Sequence, residues 1–383
     1  MMNRSPLYQL HQRLGATFGD SSGWETAHAF QGLETEYAAA RTGVALTDRS
    51  PGGRVRVTGE EALDLLHRIS TNDLDGLTPG QGTTTIFTSL KGRVIDWSIL
   101  LLTQDGLLLL TAPETPQIVL EWIDKHAIIE EITLTDLTHE TAQITVLGPR
   151  AGTVVRGVLG QAAEGLPLYG NLTASWDAGD ALVVRTDPVG LPGYDIIVPA
   201  PEAEALWERI SAAGEAAGIA ALGEDALDVL RIEAGVVRWG AEIDERYSPL
   251  EANLGDAIDW VKGCYIGQEV VARLNTYHKV RRYLVSIEFE AGAAPAPGAP
   301  LLVEGAKAGA LTSVAYSPDR ARHLALGYLR TQFVKPDTAV TAATEGGGTT
   351  TGRVTRAPEV PEEALSTAAV MAMMGGDDEE DEE

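Results

Sequence analysis

The chain has 383 residues, 44% apolar and 22% charged, with 55 acidic against 29 basic side chains and a formal charge of −26. That length calls for two or three packed units rather than one core. The charge excludes broad nonspecific nucleic-acid binding, which needs a basic face, and one cysteine, Cys264, excludes an internal disulfide.

The opening MMNRSPLYQL runs into polar sequence and predicts no signal peptide. The longest apolar runs, Ile99–Leu102 and Leu107–Leu110, are split by Thr-Gln-Asp-Gly and are too short to span a bilayer as helices. A single thiol suits a reducing cytoplasm. Seven of the charges lie in the terminal DDEEDEE, Asp377 to Glu383, and the rest are spread along the chain. Acidic solvation in a high-salt cytoplasm and an acidic interaction surface both fit that pattern.

Arg54–Thr58 (RVRVT) alternates as a strand. A helix is expected over 59–69, with Thr58 and Glu61 at capping-box spacing and Ala62, Leu65, Leu66 and Ile69 on one apolar face. Val94–Thr103 and Leu107–Thr111 read as a hairpin turned at Gln104-Asp105-Gly106. A helix at 116–125 and strands at 132–136 and 143–147 follow, ended by Gly148-Pro149. The middle repeats this order: strands at 181–186 and 194–198, then helices at 202–213 and 223–233.

A further helix opens at Gly267 (GQEVVARL). From Arg281 onward only short strands separated by Gly and Pro remain, at 283–290, 301–303, 310–316 and 324–328, which predicts a small barrel or sandwich. The expected organisation is an N-terminal α+β unit at 1–150, a second at 151–275, a barrel at 276–358 and a disordered acidic tail at 359–383.

The seven histidines are unpaired, and no zinc, phosphate-loop, dinucleotide or nucleophile-elbow motif occurs. What remains is a short set of candidates. Cys264 sits between Gly263 and Gly267, near Lys262 and before a helix, an arrangement that activates a thiol, although a lone cysteine also serves as a small buried hydrophobe. Asp96 is the acid inside an otherwise apolar strand, where burial raises its pKa unless it is hydrogen-bonded, although an acid there also serves simply to pair with nearby backbone at a strand edge. Tyr194 and Asp195 open the strand ending IIV, and a carboxylate there suits a heterocycle with adjacent N–H donors. Arg231 can bind a carboxylate or pair with Asp228 or Glu233 on its own helix. His278, Lys279, Arg281 and Arg282 (HKVRR) form the one basic cluster, fit for an anionic ligand tail, an RNA phosphate or a guarded strand edge.

Several of these stretches together resemble one superfamily. KGCYIGQE (Lys262–Glu269) is similar to the signature of YgfZ-type folate-binding proteins, relatives of the glycine-cleavage T-protein, an aminomethyltransferase. VRVTGEEALDLLHRISTNDL at 55–74 and GEDALDVLRIEAGVVRWGAEIDERYSPLEANL at 223–254 resemble T-protein segments. The resemblance implies an α+β fold of three domains around a central cavity that binds tetrahydrofolate, with a small C-terminal β-barrel. It implies catalytic roles for Asp96 and Cys264, and folate-binding roles for Asp195, Arg231, Tyr194 and Lys262.

Where T-proteins carry paired acids, this chain has Asp96 followed by Trp97, and their R-T-G-Y-T-G-E stretch appears as RTDPVGL. The cysteine motif directs the expectation to a tetrahydrofolate-binding factor in the cytoplasm that serves iron–sulfur enzymes or their assembly proteins, including enzymes that modify tRNA. The alternative is an aminomethyltransferase of the glycine-cleavage type. Neither reading involves a membrane, a resident metal or strong direct contact with nucleic acid.

Overall fold

A computed structural model of the chain describes residues 2–360. The acidic tail expected to be disordered lies outside the described residues beyond its first two positions. The chain forms two compact units. Among the described residues, one comprises those up to Thr88, Ile95–Val236 and Ala257–Ile266; the other comprises Ser89–Val94, Val237–Asp256 and those from Gly267.

The first unit is built on two large sheets. A five-stranded sheet runs Gln81–Thr88, Val94–Thr103, Gly106–Thr111, Gly53–Thr58, Thr133–Asp136 in spatial order. A six-stranded sheet runs Asn171–Trp176, Gly179–Thr186, Gly193–Pro199, Thr141–Leu147, Ala45–Asp48, Ala220–Ala221, so it takes strands from both sides of residue 150. Alternation along each strand sends one face to helices and the other to the facing sheet. Val55, Val57, Leu100 and Leu109 pack against helices Ala62–Ile69 and Pro116–His126 through Leu65, Leu66, Val119 and Ile123. Ile144, Val146, Ile196 and Val198 pack against helices Ala151–Leu159 and Ala203–Gly214. Between the sheets lie Leu101, Leu108 and Leu110 from one side and Val184 and Ile197 from the other.

The expected hairpin is present, with Thr103 opposite Gly106 and Gly106 at φ +112°. The expected helix at 59–69 is shorter. It starts at Ala62, Glu61 is its N-cap residue, and no side chain caps it, so the capping box does not form. Gly59 explains the late start: its φ is +126°, and a Cβ there would lie 2.3 Å from the Glu131 carbonyl, so the backbone is held against the segment that leads into strand Thr133–Asp136.

In the second unit the β-only region is a closed barrel of six strands, in the order Arg282–Phe289, Arg322–Arg330, Ala306–Ser317, Pro300–Val303, Ala339–Ala343, Thr349–Arg356. Pairing of Ile287 with Val354 and Phe289 with Gly352 closes it and leaves no free edge. Ile287, Phe289, Leu301, Leu311, Leu329, Val340 and Val354 fill its interior. The helix expected after Gly267 spans Gln268–Thr276. The α+β class with a terminal barrel therefore holds.

Candidate functional site

Asp96 lies on strand Val94–Thr103 and is fully buried. Its carboxylate is cradled: Ser98 Oγ donates to Oδ2 at 2.5 Å, Thr115 Oγ1 to Oδ1 at 2.6 Å, and the Ala112 N–H to Oδ1 at 3.4 Å. Ser98 reaches it because residues two apart share a strand face. Thr115 reaches it because the hairpin returns the chain to the start of helix Pro116–His126, where Thr115 is the N-cap residue. Burial pushes the Asp96 carboxyl up to about 6, against the pull of the two hydroxyls. A carboxyl of that acidity exchanges a proton near neutral pH. Next to it, the Trp97 indole N–H is buried without a protein acceptor among the described residues.

Asp195 lies on strand Gly193–Pro199, with Thr145 and Val184 as its cross-strand neighbours. Thr145 Oγ1 donates to its Oδ1. Burial raises the carboxyl, opposed by the Thr145 and Gln143 hydrogen bonds and by the charges of Arg49 and Arg54. Tyr194 points the other way, as adjacent strand residues must. Its ring joins the core with Val154 and Leu206, and its hydroxyl donates to the Glu164 carbonyl at 2.9 Å. The structure thus puts Tyr194 and Asp195 on opposite faces of one sheet, and Asp96 and Asp195 in separate hydrogen-bond networks.

Arg231 lies on helix Glu224–Ala234 and is buried. It pairs with Asp228 at 2.6 Å and donates to the Val236 carbonyl at 3.3 Å, while Glu233 accepts from the Tyr37 hydroxyl. Lys262 is half-buried, and its ammonium donates to three carbonyls, those of His67, Ser70 and Asn72, at 2.5, 2.8 and 2.7 Å. Those oxygens lie at the C-terminal end of helix Ala62–Ile69, where a cation is favoured. Burial lowers the Lys262 pKa to about 8, with Asp73 and Asp259 pulling the other way. The structure therefore gives the ammonium a helix-end duty. Cys264 is exposed, while its neighbour Tyr265 is buried.

Within the barrel unit, Arg282 of the basic cluster pairs with Glu251 at 2.9 Å and stacks on the Tyr247 ring. That ring is itself stacked on Tyr328. The ion pair accounts for Arg282 without an anionic ligand.

Sequence reasoning passed over Ser98, Thr115 and Thr145, the hydroxyls that hold the two buried acids. Ser98 was within reach of the period-two rule; Thr115 and Thr145 meet their acids only through the tertiary fold.

The chain matches the family model of the GCVT N-terminal domain over residues 7–262 and that of the glycine cleavage T-protein C-terminal barrel domain over 282–360. Among curated proteins, the aminomethyltransferase of Symbiobacterium thermophilum is 33% identical over 339 residues, covering 86% of this chain and 89% of that protein. The aminomethyltransferase of Rubrobacter xylanophilus is 32% identical, covering 86% and 87%. Among solved structures, the glycine cleavage system aminomethyltransferase T from Bartonella henselae superposes with a TM-score of 0.83 at 24% identity, covering 93% of this chain and 97% of that one, which shows a common fold.

These relatives overturn the iron–sulfur reading. That reading rested on an eight-residue segment around Cys264, whereas the likeness to aminomethyltransferases runs through both units and nearly the full length of the relatives. The superfamily part of the resemblance stands. No helix among the described residues is long and apolar enough to cross a membrane.

Proposed function

This chain belongs to the glycine cleavage T-protein family, and from that premise we propose that it is an aminomethyltransferase that uses tetrahydrofolate in the cytoplasm. The observation that carries the proposal is the 33% identity to a curated aminomethyltransferase across 86% of this chain. The reaction moves a methylene carbon from an aminomethyl group, carried on the sulfur of a lipoyl protein, to N5 and N10 of tetrahydrofolate. The carbon loses its bonds to sulfur and to the amine and gains two to nitrogen. The two hydrogens displaced from those nitrogens end on the lipoyl sulfur and on the departing ammonia.

Such a transfer needs a group that carries a proton between nitrogens near neutral pH. Asp96, with its carboxyl raised to about 6, supports that role. Asp195, a buried acceptor on a rigid strand, suits the adjacent N–H donors of a pterin ring. Arg231 stays in the proposal as a residue of the folate site, its guanidinium fixed by Asp228. Tyr194 and Lys262 support the strand and the loop around these groups through their bonds to backbone carbonyls. The YgfZ-type character is confined to the segment Lys262–Glu269.

Two measurements test the proposal. With an aminomethyl-loaded lipoyl carrier protein, the chain should form methylenetetrahydrofolate; no product at saturating carrier and folate rejects the transferase. Calorimetric titration with tetrahydrofolate should show affinity falling roughly 10- to 100-fold in Asp195→Asn, the loss expected for a hydrogen bond to a charged group. Unchanged affinity removes Asp195 from the folate site.

A further inference from the structure

The cradle around Asp96 contains a feature that a passive buried acid does not need. Thr115 Oγ1 has two acceptors in reach, Asp96 Oδ1 at 2.6 Å and the Ala112 carbonyl at 3.1 Å, but only one hydrogen. When Asp96 is ionised, that hydrogen belongs on the carboxylate, the nearer and charged acceptor. When Asp96 is protonated, its own hydrogen can point to Thr115 Oγ1, and the threonine hydrogen turns to the Ala112 carbonyl. Both protonation states then keep their hydrogen bonds inside a fully buried site. Ser98 Oγ holds the second oxygen, Oδ2, at 2.5 Å and fixes the plane of the carboxylate.

We propose that Ser98 and Thr115 are positioning residues that let Asp96 cycle between its ionised and protonated forms without reorganising the site. The inference rests on Asp96 being the proton carrier of the proposed transfer. Glu114, on the turn before helix Pro116–His126, is the charged group that acts on Asp96; it favours the protonated form, as burial does. The two hydroxyls oppose them most strongly, with a smaller pull from the Ala112 N–H, and together they set the pH at which the carboxylate becomes available.

The test uses the full chain with three substitutions, Ser98→Ala, Thr115→Val and Thr115→Ser. For each, the pH profile of kcat/KM for methylenetetrahydrofolate formation is recorded from pH 5 to 8.5, beside the titration of the Asp96 carboxyl carbon followed by NMR. Loss of one hydroxyl donor to an ionised carboxylate should raise the Asp96 titration by about one pH unit. The acid limb of the profile should move up by the same amount, so activity falls about fivefold at pH 6, approaches a tenfold loss near pH 5 and changes little above pH 8. Thr115→Ser, which keeps the hydroxyl, should restore the wild-type limb.

Folded Ser98→Ala and Thr115→Val proteins with the wild-type profile and titration overturn the proposal. If Thr115→Val fails to fold, Ser98→Ala decides alone. Should Asp96→Asn retain full transfer activity, the role of Asp96 in the reaction falls, while the NMR titration still judges whether the hydroxyls set its acidity.

Discussion

Glu36 Oε2 accepts a 2.8 Å hydrogen bond from the backbone N–H of Gly223, 187 residues further along the chain. The other oxygen, Oε1, accepts from the N–H groups of Phe30, Gln31 and Gly32 at 2.6, 2.7 and 3.0 Å. One fully buried carboxylate thereby satisfies four backbone donors, at the starts of two helices, Leu33–Thr42 and Glu224–Ala234. Gly223 is required there, because a Cβ would sit 2.2 Å from the His28 carbonyl oxygen.

Glu36→Ala should therefore destabilise the protein by about 2–4 kcal/mol, because the Gly223 donor is stranded in a buried place while those of Phe30, Gln31 and Gly32 are only partly buried. Urea unfolding followed by far-UV circular dichroism measures it. A loss under about 1 kcal/mol would mean that water replaces the carboxylate and that Glu36 is dispensable.

Asp96 makes stability depend on pH in a direction opposite to that of a salt-bridged acid. Its carboxyl is raised from 3.8 to about 6 by burial, so between those values the folded chain holds a proton that the unfolded chain has lost. The contribution is complete below pH 3.8 and declines as pH rises through 6, by about 3 kcal/mol in all. Asp96→Asn lacks this dependence. Relative to wild type it should gain roughly 1–3 kcal/mol between pH 4 and pH 7, part of the gain being offset by imperfect pairing of the amide with Ser98 and Thr115. Denaturant midpoints of both proteins across that range check it; a constant difference contradicts the burial argument.

Lys262 ties the loop after helix Ala62–Ile69 through three carbonyls. Lys262→Met keeps the apolar stem and removes the ammonium. It should lower stability by roughly 2–3 kcal/mol, because charged hydrogen bonds are the strong ones and the three oxygens lose a common donor. Affinity for tetrahydrofolate should change by less than twofold. The opposite outcome, intact stability with folate binding lost, would restore Lys262 to the ligand.

The parts of this protein that were legible in sequence are those whose signal is local. Four strands of the barrel and the hairpin at Gln104–Gly106 announce themselves by apolar alternation and glycine, but the strands Ala339–Ala343 and Thr349–Arg356, rich in Ala and Thr, do not. Strand Gln81–Thr88 (QGTTTIFT) does not, because five polar or glycine positions precede its apolar pair. The opening three-stranded sheet, Asn3–Arg4, Trp24–Ala29 and Thr17–Ser21, is too short and mixed to show a period.

In the site, Asp96 and Asp195 stood out as acids in apolar strands, but Thr115 is nineteen residues from its acid and Thr145 is fifty. The partners of Lys262 are backbone carbonyls, which no residue pattern marks. The functional reading went astray for a related reason: the cysteine-bearing segment is a strong local signal, whereas the likeness to aminomethyltransferases is weak at any one position and spread over more than 300 residues.

Cys264 is consequently the sharpest remaining test. Its thiol is exposed, and the proposed transfer balances without it, since the sulfur that gives up the carbon belongs to the lipoyl arm and takes up the displaced hydrogen. Cys264→Ser should therefore keep methylenetetrahydrofolate formation and folate affinity within about twofold of wild type, as surface substitutions away from a reacting centre do. In the folded wild-type protein the thiol should react fully and stoichiometrically with a soluble aromatic disulfide, because nothing shields it. The two readouts separate the alternatives. A more than tenfold loss of turnover in a folded Cys264→Ser protein would make the thiol part of the reaction. An unreactive thiol with normal turnover would instead show that the loop after Trp260 closes over it in solution.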